Sequence, residues 1–246
     1  MKNKIGIVIL AAGKGKRMQS ELPKVMHLLR DRPLIDYVVS TADNLGIKPV
    51  VVVADDSSLV RDFLGKRAAY AVQKERLGTG HAVSVAESKL KGKTDHVVVL
   101  YGDMPFVTAP SIKKLVDEHV AKNNVLTLMT VVVPDFHDWR SQFYDFGRIV
   151  RDIDNNIIKI VEKRDASPKE LNLKEVNTAF FCFKADWLWE NLKKLKNSNA
   201  AGELYLTDLV KIAFDEDAKL SAVHINPREA VGVNTKENLQ VAQELT

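Results

Sequence analysis

The stretch Ile5-Gly6-Ile7-Val8-Ile9-Leu10-Ala11-Ala12-Gly13-Lys14-Gly15-Lys16-Arg17-Met18 sets an unbroken apolar run directly against a glycine- and lysine-rich turn. A short apolar run ended by turn residues reads as a strand buried on both faces. In an open α/β sheet, ligands bind beyond the carboxyl ends of such strands, so the turn falls where a site is built. Gly13 and Gly15 let the backbone approach a phosphate chain and turn N–H groups toward it, while Lys14, Lys16 and Arg17 add charge. A triphosphate suits that cradle; taken alone, the loop reads equally as a glycine turn with solvated lysines. Two familiar loops are excluded by spelling. A dinucleotide fingerprint needs glycine where Met18 stands, and a Walker loop needs four residues between its first glycine and Gly-Lys. Downstream, Leu22-Pro23-Lys24 fixes a lysine behind a proline, which restricts the backbone before it and can hold the ammonium at the same phosphates.

Outward from this loop, apolar runs recur at 50–54, 96–100 and 125–133, with helical patterns between them. Residues 33–45 place Leu34, Ile35, Val38, Val39, Ala42 and Leu45 at helical spacing and stop at Gly46, and Thr108-Ala109-Pro110 reads as a cap with an early-helix proline. Strand and helix in alternation predict an α/β fold, a Rossmann-like, doubly wound, mostly parallel sheet. The texture changes after Val133. Runs at 149–151 and 157–162 flank an Asn155-Asn156 turn and a third run follows at 176–184, which predicts a small antiparallel insert over 134–185. Helices are expected over 186–195 and 205–214, and Asn234 with Glu237 spells a capping box for the last one. With no Gly/Ser-rich or Pro-rich linker, residues 1–246 are read as one domain.

Composition narrows the class. At 246 residues and 46% hydrophobic, the chain can bury a large core. Its 36 basic and 32 acidic residues are scattered, which favours small anionic ligands over nucleic acid. The single cysteine, Cys182, lies in Phe180-Phe181-Cys182-Phe183, an apolar strand pattern without metal or redox spacing, and points to a reduced, cytoplasmic setting. The apolar stretch before Gly13 is too short for a signal peptide or a bilayer span, so neither export nor membrane insertion is expected.

The run 9–18 followed by Leu22-Pro23-Lys24-Val25 closely resembles the signature of sugar-phosphate nucleotidylyltransferases. The nearest resemblance is to the uridylyltransferase domain of bacterial N-acetylglucosamine-1-phosphate uridylyltransferases. Later segments agree in order, among them Gln73 to Ala82, Leu100-Tyr101-Gly102-Asp103, Phe146-Gly147-Arg148-Ile149, 160–166, Glu175-Val176-Asn177-Thr178, 202–208 and Gly232-Val233-Asn234. The resemblance spans essentially the whole chain. It implies a nucleotide-diphospho-sugar transferase fold with a sugar-binding insert, UTP and a sugar 1-phosphate as partners, and Mg²⁺ as cofactor.

Residue by residue, it implies nucleotide binding at Leu10, Ala11, Ala12, Gly13, Lys24, Gln73, Gly78 and Thr79, with Gln73 and Gly78-Thr79-Gly80 matching the family's pyrimidine-recognition elements and Arg17 and Lys24 acting on the phosphates. The metal falls to Asp103 and Asn234. Read alone, Asp103 after Tyr101-Gly102 is a turn-capping aspartate at least as readily as a ligand, and Asn234 is equally a helix cap. The sugar falls to Tyr101, Gly147, Glu162 and Asn177, although Glu162 beside Lys163 and Arg164 otherwise reads as a solvated carboxylate. His81 reads as structural, because an ionised phosphate nucleophile needs no imidazole base. Phe146 stands where members of that family usually have tyrosine, and Ala179 where they usually have glycine, so the sugar derivative stays open. Related pyrophosphorylases forming UDP-glucose, dTDP-glucose or a CDP-alcohol are the alternative. A silent binding module would be expected to have lost Arg17, Lys24 or Asp103. No hexapeptide periodicity is present, so the acetyl transfer that bifunctional relatives perform on a β-helix is not expected of these residues.

Overall fold

The computed structural model describes residues 3–13 and 15–246. The strands are β1 (Ile5–Leu10), β2 (Leu28–Leu29), β3 (Arg32–Pro33), β4 (Val50–Ala54), β5 (Ala69–Gln73), β6 (His96–Tyr101), β7 (Leu126–Val132), β8 (Arg148–Arg151), β9 (Ile157–Val161), β10 (Glu175–Lys184) and β11 (Leu220–His224). The helices are α1 (Leu34–Asn44), α2 (Ser58–Leu64), α3 (Thr79–Ser84), α4 (Glu87–Leu90), α5 (Ala109–Ala121), α6 (Pro168–Leu171), α7 (Ala185–Asn191), α8 (Asp208–Asp215) and α9 (Lys236–Leu245).

The main sheet runs β11-β7-β10-β6-β1-β4-β5, with the β8–β9 hairpin joined to β10. Strands β1, β4, β5 and β6 are mutually parallel, as the α/β alternation predicts. β1 and β4 are buried almost throughout, the mark of strands covered on both faces. Above and below lie two apolar layers. One joins Ile7, Ile9, Val38 and Val98, and the other Val8, Val52, Val97 and Phe181, as the period-two alternation of a strand requires. α1 buries Leu34, Ile35, Val38, Val39 and Ala42. It ends in a Schellman turn, with Gly46 N–H donating to the Asp43 carbonyl and Ile47 N–H to that of Ala42. Gly46 supplies the required positive φ of 69°. At α5, Thr108 caps the first turn by accepting from Ser111 N–H.

From β1 the chain winds to β4 and β5 on one side and then returns to β6 on the other. That reversal opens a crevice at the carboxyl ends of β1 and β6, where Leu10 pairs with Tyr101. The loops after these two strands, Ala11–Gly13 and Gly102–Asp103, therefore face each other.

The third run of the expected insert, β10, runs antiparallel between β6 and β7 in the main sheet while its first residues also pair with β8. Phe180, Phe181, Cys182 and Phe183 are fully buried, so this run belongs to a central strand. Two expectations need correction. The helix expected from Tyr205 begins at Asp208; Leu204 and Leu206 instead bond to the 77–80 loop. Finally, α9 is capped by Thr235, whose Oγ1 accepts from Asn238 N–H, and Asn234 lies one residue outside.

Candidate active site

At the crevice, a cleft of about 310 Å³ is lined by all eight residues expected to hold the nucleotide: Leu10, Ala11, Ala12, Gly13, Lys24, Gln73, Gly78 and Thr79. A Cβ at Gly13 would meet nothing within 4 Å, so packing does not explain this glycine, and the open space lies on the cleft. Gly15 differs. It has φ of 59°, and a Cβ there would fall 2.7 Å from the Lys24 Cβ, so the loop lies directly on Lys24 only with glycine at this position. Lys14 and the Lys16 side chain lie outside the described residues. Arg76, which the sequence reading passed over, ties the loop down by donating from Nε to the Ala12 carbonyl at 2.8 Å.

Gly78 and Gly80 have a packing role that the sequence reading did not foresee. A Cβ at Gly78 would sit 2.6 Å from the Leu204 carbonyl oxygen, and one at Gly80 would sit 2.3 Å from Leu195 Cδ1. Leu204 N–H donates to Leu77 O at 2.7 Å and Gly80 N–H to Leu204 O at 2.8 Å, so this lip of the cleft is clamped to the segment before α8.

The charged centre gathers four expected residues. Gly102 allows the close turn that delivers Asp103, since a Cβ there would lie 2.7 Å from Ile35 Cδ1. Val233 N–H donates to the Asp103 carbonyl at 2.9 Å and brings Asn234 alongside. The Lys24 ammonium donates to Asp103 Oδ2 and, at 2.9 Å, to Asn234 Oδ1, which also accepts from Arg17 Nη2 at 3.2 Å. Asp103 is 6% exposed, so its charge is balanced chiefly by that ammonium. Asn234 is available because Thr235 took the cap.

Both oxygens contact the Lys24 ammonium, so they lie close enough together to face one small cation. Among the described residues no cluster of three or more His, Cys, Asp or Glu side chains is placed to hold a metal. Two protein oxygens fit an ion such as Mg²⁺, which keeps waters and takes further oxygens from phosphates. They do not fit a tetrahedral zinc centre.

A second cavity of about 300 Å³ is lined by Tyr101, Gly147, Glu162 and Asn177, the four expected sugar contacts, and shares Lys24, Thr79, Tyr101, Asp103 and Glu203 with the first. Glu162 Oε1 accepts from Thr207 Oγ1 at 3.0 Å, and burial pushes its carboxyl pKa up, with Asp208 and Asp165 adding to the rise. A Cβ at Gly147 would lie 2.8 Å from Ile160 Cγ2 and 3.3 Å from that carboxylate's Oε1, so glycine leaves room for both. Asn177 Oδ1 accepts from Ala179 N–H at 3.0 Å, leaving the amide NH₂ for the cavity. Burial likewise raises the Tyr101 phenol. Phe146 and Ala179 line the same space, and Ala179 has φ of 64° at the bulge in β10, a conformation that favours glycine. Arg148, also unforeseen, is fully buried and donates to the carbonyls of Phe146, Tyr144 and Leu171, which braces the Phe146-Gly147 corner from behind.

A family model for the MobA-like NTP transferase domain matches residues 7–197. The chain belongs to this NTP transferase family. It is therefore a nucleotidyltransferase, whose matched region runs from β1 to the segment before α8. Bifunctional protein GlmU of Exiguobacterium sp. is 41% identical over 239 residues, covering 96% of this chain and 51% of that protein. Bifunctional protein GlmU of Desulfotalea psychrophila is 37% identical over 245 residues, covering 98% of this chain and 70% of that protein. This NTP transferase thus spans about half the length of the first of these relatives. Among solved structures, a UDP-glucose pyrophosphorylase complexed with UDP-glucose superposes with a TM-score of 0.75 at 18% identity, covering 99% of this chain and 98% of the other. That likeness establishes the fold. Among the described residues no helix is long and apolar enough to cross a membrane.

Proposed function

We propose that this NTP transferase moves a uridylyl group from UTP to N-acetylglucosamine 1-phosphate, giving UDP-N-acetylglucosamine and pyrophosphate. The observation that carries the reading is the pair of cavities meeting at Lys24, Thr79, Tyr101, Asp103 and Glu203. One has the strand-end loop suited to phosphates and the other has fixed hydrogen-bonding groups suited to a hydroxylated ligand. Asn177 offers a donor to an acetamido carbonyl, and Glu162 offers an acceptor to sugar hydroxyls.

An oxygen of the sugar phosphate attacks the α-phosphorus, its new P–O bond forming as the bond to the β-phosphate oxygen breaks opposite. An ionised phosphate is already nucleophilic, so positioning and charge neutralisation supply the catalysis. Lys24 serves the α-phosphate region and Arg17 the departing pyrophosphate. Asp103 and Asn234 would hold Mg²⁺, which supplies further neutralisation of the phosphate oxygens when bound. We place the enzyme in the cytoplasm, with no nucleic-acid or membrane partner. A pyrophosphate-release assay with Mg²⁺, run over a panel of sugar 1-phosphates with UTP, dTTP and CTP, tests the reading. Greatest turnover is expected with UTP and N-acetylglucosamine 1-phosphate. A preference for glucose 1-phosphate would favour the related pyrophosphorylases, with Phe146 and Ala179 as the altered wall, and no release with any pair would refute nucleotidyl transfer by the chain.

A further inference from the structure

In the nucleotide half of the cleft, the amide of Gln73 is held in one of its two possible orientations. Gln73 ends β5, lines the cleft and is 4% exposed. Its Nε2 lies 3.2 Å from the Gly78 carbonyl oxygen and 3.2 Å from His81 Nδ1. A carbonyl oxygen only accepts, so the amide atom facing it is the NH₂, and a flipped amide would set Oε1 against the Gly78 carbonyl oxygen. The other Nε2 hydrogen then goes to His81 Nδ1, which accepts, and the ring proton sits on Nε2. Both amide hydrogens are thereby used within the protein. Oε1 is left, and among the described residues no donor meets it.

The two groups that fix the amide are themselves held by backbone. Gly78 has φ of 109°, its missing side chain gives way to the Leu204 carbonyl, and α3 carries His81 from a first turn pinned by the Gly80 to Leu204 bond. Ser84 Oγ donates to the His81 carbonyl at 2.8 Å. His81 is thus a rigid acceptor on a short helix.

We propose that His81 is a positioning residue that selects the nucleobase. By accepting from Gln73, it presents Oε1 to the cleft as an acceptor without a donor beside it. Such an oxygen pairs with the N3–H of a keto pyrimidine, uracil or thymine, and opposes the unprotonated N3 of cytosine. The inference rests on the nucleotide-transfer reading above and assigns a role to a histidine that the chemistry does not otherwise use.

The test measures binding of UTP and of CTP by titration calorimetry, with no sugar phosphate present, in wild type, His81→Leu and His81→Asn. Wild type is expected to prefer UTP. His81→Leu, which removes the acceptor, should lower that preference by about tenfold, the size of one hydrogen bond. His81→Asn, whose Oδ1 can stand near the place of Nδ1, should restore most of it. A general loss of packing would weaken both nucleotides together and leave the ratio unchanged. An unchanged ratio in His81→Leu, or no preference for UTP in wild type, overturns the proposal. Ring ¹⁵N shifts of wild-type His81 give a check independent of any variant, since a proton found on Nδ1 also overturns it. If His81→Leu loses the preference but wild type releases no pyrophosphate with any sugar phosphate, the base-selection role stands and nucleotidyl transfer falls.

Discussion

Replacing Lys24 by methionine probes how the charged centre is balanced. The ammonium occupies the position between Asp103 Oδ2 and Asn234 Oδ1 that a divalent ion would need. To bind in the absence of nucleotide, the ion has to displace it. A hydrogen bond to a charged group contributes about 1.5–3 kcal/mol net, and the Lys24 side chain is only 16% exposed, so the bond to Asp103 is little weakened by water. Removing that competitor should raise the affinity of the nucleotide-free protein for Mg²⁺ by about tenfold to a hundredfold. Turnover should collapse in the same variant, because the charge placed at the α-phosphate is gone. Titration calorimetry with MgCl₂ measures the affinity, and paramagnetic resonance with Mn²⁺ provides a second readout. Adding Asp103→Asn to Lys24→Met should abolish the gain. Equal or weaker metal affinity in Lys24→Met would refute the argument, since the metal would then be using oxygens that the ammonium does not cover.

Arg17→Ala should lower kcat more than it raises the KM for sugar phosphate, as expected of a charge acting on the leaving pyrophosphate; an effect confined to that KM, measured by steady-state kinetics, would misplace Arg17. Asn177→Ala should reduce discrimination between N-acetylglucosamine 1-phosphate and glucose 1-phosphate by roughly tenfold to a hundredfold, for loss of a hydrogen-bond donor in a closed pocket, with UTP affinity nearly constant. Changed UTP affinity with constant sugar discrimination would contradict that division of the cleft. His119 is fully buried, with Nδ1 2.9 Å from Thr127 Oγ1 and Nε2 unpartnered among the described residues, and burial pushes its pKa from 6.5 down to about 3. As pH falls below 6.5 the unfolded chain takes up a proton that the folded chain refuses, so stability present above 6.5 is lost progressively toward 3. This residue alone should cost about 1.4 kcal/mol between pH 7.5 and 5.5. Denaturant unfolding at the two pH values should show a smaller loss in His119→Asn, and an equal loss would refute the assignment.

Most strands legible in the sequence were those buried on both faces, because a continuous apolar run needs no partner to be read; the half-buried hairpin of β8 and β9 was legible through its Asn155-Asn156 turn. β5 and β11 lie at the sheet edges, with Tyr70, Gln73, Ser221 and His224 among their residues, so neither periodicity nor unbroken hydrophobicity marked them. The site residues were named by resemblance, and the structure brings the expected residues into two joined cavities, except Arg17, which lines a neighbouring one beside Asn234. What one sequence could not supply is contact across the chain. Arg76 reaches Ala12, Arg148 braces a corner through three carbonyls, and Gly78 and Gly80 yield space to residues more than a hundred positions away. The capping pattern at Asn234 erred by one residue because Thr235 offers the same hydrogen bond with better placement, and that single step leaves the Asn234 amide oxygen for Lys24.

The reversed strand explains how a pocket on the insert stays in register with the phosphate loop. β10 pairs Asn177 with Thr130 before its bulge and Phe181 with Leu128 after it, and Phe181 also faces Val99 on β6, two residues before Tyr101. Asn177 N–H donates to the Gly147 carbonyl at 2.8 Å, so both residues proposed to face the sugar hang from the same ladder. The irregular segment between them and the main sheet is the bulge at Ala179, where an L-residue at positive φ costs about 1 kcal/mol. Between the Asn177–Thr130 and Phe181–Leu128 pairs β10 advances four residues while β7 advances two, so a fully regular β10 would carry Asn177 to a different height along the sheet. The strained alanine therefore sets where the sugar-side amide meets the cavity shared with Lys24 and Asp103, and a β10 without its bulge would fold the same sheet but separate the two halves of the cleft.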